Sequence, residues 1–265
     1  MEKLKSQDKF RRCRKCLICE RKICIIIEMN KLREKAESVF AWAVEQRTDP
    51  YKGPWVRHSQ QTARFCEEVA RKMRENGCDI DVDMAYACGL LHDTGRYEAV
   101  DNGMHHVVAG YEVLNERGLT IPAEVALTHT FYGYGRVAYD EYWREMSADD
   151  IELITNFMTE HKTSDYDRLV QLADNMALTS GIVTIDARFV HVFTRHKREH
   201  AAEYLALLYE LKNYFDQKCG ENIYELFKDD IIRTTMLGLP GIYSEEEREM
   251  VIEDGKLNVR VKESS

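Results

Sequence analysis

The stretch Gly89–Val100, GLLHDTGRYEAV, decides how this chain is read. An apolar run ends on a His-Asp pair, followed at once by Thr94, Gly95 and Arg96. Imidazole and carboxylate are poor choices for an apolar helix face unless something is paired with them. A buried ion pair, a general base with its orienting acid, or a metal ion would each justify the doublet. Upstream, Met84, Ala87 (or Cys88) and Leu91 recur at helical spacing, so Asp81–Leu91 reads as a helix, with Gly95 soon after as a stop. His92 and Asp93 then lie at a helix end. Neighbouring residues point about 100° apart around a helix, so both reach one site only if it lies beyond the terminus.

Working outward, the chain reads as helix after helix. Leu32, Ala36, Val39 (or Phe40) and Ala43 mark a helix over Asn30–Gln46. After a loop holding Asp49-Pro50 and Gly53-Pro54, a second helix begins near Val56, with His58 in its first turn and Thr62, Cys66, Val69 and Met73 on one stripe. His106–Arg117 is another, closed by Gly118, and Thr120 with Pro122 opens a short helix reaching His129. The aromatic, Gly-containing segment from Thr130 to Met146 reads as a loop or lid. Ser147-Ala-Asp-Asp150 and Ser164-Asp-Tyr-Asp167 are capping signals for two further helices. Ala201–Phe215 is amphipathic, and the stretch from Gly220 mixes short helices with a polar tail. The expectation is an all-α protein: a single helical bundle over residues 29–220 with a C-terminal helical extension over residues 221–265.

Composition agrees. Four prolines and 14 glycines in 265 residues leave few breaks, and 44% hydrophobic content can bury a sizeable core. A net charge of −9 argues against a general nucleic-acid binder, though not against a small phosphorylated ligand, because a metal supplies positive charge locally. No window approaches the roughly 18 apolar residues of a membrane span, and the start MEKLKSQDKFRR lacks a signal-peptide core. The expected location is the cytoplasm. Cys66, Cys78, Cys88 and Cys219 stand singly, as in a reducing compartment. Cys13, Cys16, Cys19 and Cys24 form C-x2-C-x2-C-x4-C, a spacing able to hold zinc or an iron–sulfur cluster. That segment is short, lacks His and is packed with Arg and Lys, so residues 1–28 read as a disordered leader.

Polar residues interrupt the apolar faces at matching places. His58, His92, Asp93, His106, His129 and Asp174 are spread over five helices, mostly near their ends, and helix ends can converge at the mouth of a bundle. A nitrogen and oxygen set without sulfur suits iron, manganese or zinc. Several imidazoles with two carboxylates can hold two ions about 3.5–4 Å apart. His105 reads as exposed or as a support for the ligands. His161 falls in a linker, and His191, His196 and His200 on a basic, solvated helix face.

The order H…HD…H…H…D resembles the HD superfamily of metal-dependent phosphohydrolases over roughly Trp55–Thr179. His58 in WVRHSQQTARFCEEVA, the doublet His92-Asp93 and Asp174 in LVQLADNMA match the core signature. His106, with an H-x3-G spacing, and His129 resemble the subset that binds two metals. His129-Thr130 is closer to the small diadenosine-polyphosphate hydrolases than to the cyclic-dinucleotide branch, which has His-His-Glu there. The resemblance implies one or two divalent ions, with His58, His92, Asp93 and Asp174 on the first, Asp93 bridging, and His106 and His129 on the second. It also implies hydrolysis of a small phosphoester, a nucleotide or similar, by metal-activated hydroxide, with Arg96 holding a substrate phosphate. A non-catalytic binding module and a di-iron oxygenase are the alternatives of other classes.

Overall fold

The computed structural model describes residues 31–47, 52–98, 103–195, 200–236, 248–253 and 256–261. The expected leader, residues 1–28 with its four cysteines, and His196 lie outside them. The fold is all-α. Helix α1 spans residues 31–46. It is followed by α2 (Lys52–Glu75), α3 (Val82–Leu91), a 3-10 turn (Thr94–Glu98), α4 (His106–Glu116), α5 (Thr120–Thr128), α6 (Asp140–Trp143), α7 (Ala148–Glu160) and α8 (Asp165–Asp174). Then come α9 (Ile185–Arg195), α10 (Ala201–Cys219), α11 (Ile223–Leu226) and α12 (Lys228–Met236). Among the described residues no helix is long and apolar enough to cross a membrane.

Local chemistry sets the boundaries. The Asp81 carboxylate accepts from the amides of Asp83 and Met84 and starts α3. Ser147 caps α7, and Ser164 with Asp167 forms a full capping box on α8. Gly220, at φ 73°, closes α10 in the left-handed conformation. Helix α2 lies between two apolar clusters. Phe65, Val69 and Met73 pack with Leu127, Leu169 and Phe215, while Trp55 and Ala63 pack with Phe40, Leu91 and Leu114. The free cysteines Cys66, Cys88 and Cys219 are buried.

Three features differ from the sequence expectation. Helix α2 starts at Lys52, not near Val56, because Pro54 is tolerated in a first turn; His58 therefore sits in the second turn. The segment from Thr130 to Met146 is not a free loop or lid. Phe131 (1% exposed) and Tyr139 (3%) are buried, Phe131 stacks on Trp143 at 5.3 Å, and the Tyr204 hydroxyl donates to the Ala138 carbonyl. Aromatic rings bury large areas without needing a helical repeat, so the anchoring left no periodicity to read. Lastly, among the described residues of the C-terminal extension, α11 and α12 are helical, but Arg248–Glu253 and Lys256–Val261 pair as an antiparallel hairpin. Its sequence, REMVIE then KLNVRV around Asp254-Gly255, carries short alternation and a turn dipeptide. A second pair, Ala177–Leu178 with Gly181–Ile182, follows α8.

Two glycine contacts bring the functional helix ends together. A Cβ on Gly89 would lie 2.8 Å from Ala63 Cα, so α3 crosses α2 at backbone distance. A Cβ on Gly95 would lie 2.0 Å from the His106 carbonyl oxygen and 2.5 Å from the Gly110 amide nitrogen. The 3-10 turn after the doublet therefore rests directly on α4. Gly95→Ala is expected to lower stability by about 3 kcal/mol or more. Gly53→Ala, whose Cβ would meet only the tip of Arg57 at 3.4 Å, should leave it unchanged or slightly raised. Urea unfolding of both variants checks this; equal stabilities would contradict the close approach.

Candidate metal centre

Five helices deliver the six side chains. His58 comes from within α2, His92 is the residue after α3, and Asp93 opens the turn that follows. His106 begins α4, His129 follows α5, and Asp174 ends α8. Three of these positions are helix C-termini, whose unpaired carbonyls carry partial negative charge, against one N-terminus, that of α4. The balance favours a cation.

The imidazoles share one hydrogen-bond pattern. His92 Nδ1 donates to the Gly89 carbonyl at 2.8 Å, His106 Nδ1 to Gly103 at 2.7 Å, and His129 Nδ1 to Ala126 at 2.8 Å. Each bond reaches back three residues, the carbonyl being offered where the chain leaves or enters a helix. With the hydrogen on Nδ1, each neutral ring keeps a bare lone pair on Nε2. Those Nε2 atoms all face carboxylate oxygens: His92 lies 3.7 Å from Asp93 Oδ2, and His106 and His129 lie 3.2 and 3.6 Å from Asp93 Oδ1. Neighbouring ring centroids are 5.0 to 5.4 Å apart from His58 through His92 and His129 to His106. His58 Nε2 donates to Asp174 Oδ1 at 2.9 Å; once that proton leaves, the same two atoms can ligate a cation.

Lone pairs facing lone pairs repel, and the mismatch is concrete: His92 Nε2 and Asp93 Oδ1 are buried with no hydrogen-bond partner among the described residues. Two sets of donor atoms, His58-His92-Asp93 and Asp93-His106-His129, each fall within 4.8 Å of one another and could hold a metal ion. Asp93 belongs to both. Its Oδ2 faces His92 and its Oδ1 faces His106 and His129, the disposition a bridging carboxylate needs. The residues present thus fit one or two divalent ions.

Electrostatics keep the set ligand-ready. Burial pushes the His92 imidazole down to about 4. Burial, reinforced by the Arg96 charge, does the same to His106, again to about 4. Burial alone would raise the Asp93 carboxyl, but Arg96 and His92 hold it well below the usual range. Burial alone would also raise the Asp174 carboxyl, but the bond from His58 together with the neighbouring His58, His92 and Arg188 charges holds it low. Near neutral pH the site therefore offers neutral imidazoles at His92 and His106 and ionised carboxylates at Asp93 and Asp174.

Arg96 lies against the ligands. Its Nε is 2.8 Å from Asp93 Oδ2, and its guanidinium donates to His106 Nε2 at 3.3 Å. The guanidinium is still 37% exposed. His105 supports from outside, with Nδ1 bonded to Asp150 at 2.9 Å. His161 bonds to Asp167 instead of joining the cluster. His191 overturns its expected solvated position: it is 7% exposed and accepts from Arg188 at 3.0 Å. Arg188 was not singled out in the sequence. Its Nε donates to the Asp174 carbonyl at 3.2 Å, and its terminal nitrogen lies 3.8 Å from Asp174 Oδ1. The only sequence signal was apolar spacing in IDARFVHVFTR, which turns one face of α9 inward.

Comparison with known proteins agrees with this geometry. Residues 55–179 match the family model described as HD domain. An uncharacterized protein of Methanocaldococcus jannaschii, MJ0778, is 35% identical over 63 residues, which is 24% of this chain and 36% of that protein. The chain thus aligns with about a third of that relative's length. No solved structure matches. With the doublet, the flanking His residues and the closing Asp brought together inside it, the segment 55–179 matches the HD domain family in sequence and carries a His/Asp cluster consistent with a metal site of that family.

Proposed function

We propose that the protein is a metal-dependent phosphohydrolase acting on a small phosphorylated molecule, a nucleotide being the first class to consider. The observation that carries this is the pair of ligand sets joined through Asp93, with bare, buried donor atoms that only a cation satisfies. A bound divalent ion would make water acidic enough to attack at neutral pH and would neutralise phosphate oxygens as they gain charge.

The chain's own residues do the rest. Two carboxylates, Asp93 and Asp174, are balanced by two guanidiniums, Arg96 and Arg188. Any divalent cation added to that neutral set makes the site positive, which favours an anionic substrate. Arg96 keeps part of its guanidinium open to solvent beside Asp93 and can turn N–H groups towards a phosphate oxygen, as an arginine fork does. Arg188 backs Asp174 and fixes the direction of its carboxylate. Gly89, Gly103 and Ala126 hold the ring tautomers through their carbonyls, a support known to tune ligand basicity. The overall charge of −9 repels long polyanions, which favours a small phosphoester over nucleic acid.

Protein purified without chelator should contain iron, manganese or zinc by elemental analysis and release phosphate from members of a nucleotide and phosphomonoester panel. His92→Ala and Asp93→Ala should each lower metal content and reduce turnover at least 100-fold; full turnover in either variant would contradict the assignment. Arg96→Lys should retain metal but lose about ten-fold or more in kcat/KM. In chelator-treated protein, His92 and His106 titrate near 4 when folded and near 6.5 when unfolded. As pH falls below about 6.5 the unfolded chain takes up those protons first. Stability present above that pH should fall progressively down to about 4, by on the order of a few kcal/mol in urea unfolding. A flat profile across that window would show that the imidazoles are not buried as described.

A further inference from the structure

A second opening lies apart from the six ligands. A cavity of about 470 Å³ sits between the 131–136 segment, the end of α7, α8 and α10, and no metal-site side chain lines it. Its size falls in the range of roughly 300–1,000 Å³ typical of small-molecule sites. One wall is Gln171, only 3% exposed. Its Nε2 donates to the Thr128 carbonyl at 3.1 Å, which orients the amide and leaves Oε1 without a hydrogen-bond partner among the described residues. A carbonyl oxygen held in place at a cavity wall is an acceptor open to a bound molecule.

His161 supplies a fixed ring on another wall. Its Nε2 is 3.1 Å from both oxygens of Asp167. That carboxylate also accepts from the Ser164 amide at 2.7 Å and from the hydroxyls of Ser164 and Thr128, each at 2.6 Å. A carboxylate only accepts, so Nε2 is the donor and the ring is fixed in place by Asp167. The ring is held flat against Phe157, centroids 4.8 Å apart. Phe131, Tyr132, Tyr134 and Tyr214 supply further aromatic wall.

A fixed acceptor among aromatic rings complements a flat ring that carries an N–H donor and stacks well. We propose that this cavity binds the base of an adenine-type nucleoside, with an exocyclic amine donating to Gln171 Oε1. The site stands on residues of its own and does not depend on the metal reading. It is nevertheless tied to the metal centre: Thr128 adjoins His129, and Gln171 lies one helical turn before Asp174 on α8.

Calorimetric titration of the full chain with adenosine tests the proposal. Adenosine should bind, and inosine, which has a carbonyl where adenosine has the amine, should bind at least ten-fold more weakly. Gln171→Leu, which removes the acceptor, and Leu211→Trp, which fills the cavity from α10, should each weaken adenosine at least ten-fold while His92→Ala leaves it unchanged. Should a cavity variant fail to fold, the adenosine–inosine comparison on the unaltered chain decides alone. No binding of adenosine at millimolar concentration, equal binding of the two nucleosides, or unchanged affinity in a folded cavity variant overturns the site. Loss of binding in folded His92→Ala with retention in Leu211→Trp overturns it too, by placing adenosine at the metal centre instead.

Discussion

Buried nitrogen lone pairs and carboxylate oxygens face one another with no hydrogens between them, and the rest of the molecule is arranged around that conflict. His92 Nε2 and Asp93 Oδ1 are sealed from solvent without partners. Leaving such atoms unpaired costs roughly 1–3 kcal/mol each, more when charged. Folding supplies that energy through the clusters on either side of α2. A bound cation would relieve it, so metal binding and folding would draw on the same free energy.

The backbone makes the conflict possible. Gly89 lets α3 cross α2 at van der Waals distance, and Gly95 lets the following turn sit on the first residues of α4. Gly110, which completes the H-x3-G spacing, packs on the same turn: its amide nitrogen would lie 2.5 Å from a Cβ on Gly95, and a Cβ on Gly110 would lie 3.2 Å from the Gly95 amide nitrogen. The spacing is thus a packing requirement as much as a ligand signature. Carbonyls released at helix ends then choose the imidazole tautomers, without any side chain being spent on the task.

Much of this was legible in the chain itself. Ser147, Ser164 and Asp81 announce their helices because caps act locally, within three residues. His58, His92-Asp93, His106, His129 and Asp174 stood out because polar groups on apolar stripes need a reason. What escaped notice depended on distant partners. His191 sits in a basic stretch that reads as solvated and Arg188 lies just before it; only the docking of α9 against the end of α8 turns Arg188 towards Asp174 and His191 towards Arg188. The segment after His129 looked like a free loop because its aromatics follow no period, yet they are packed against α10.

By itself the sequence determined the helical class, most helix ends and which residue types were available to hold a cation, since periodicity, capping and chemical identity are properties of short stretches. Only the tertiary structure decided that four helix ends meet α2 within its opening turns, that Asp93 faces both ligand sets, and that Gln171 is left with an open acceptor. Those outcomes depend on contacts between residues dozens of positions apart, whose geometry is set by how helices cross and not by any local pattern.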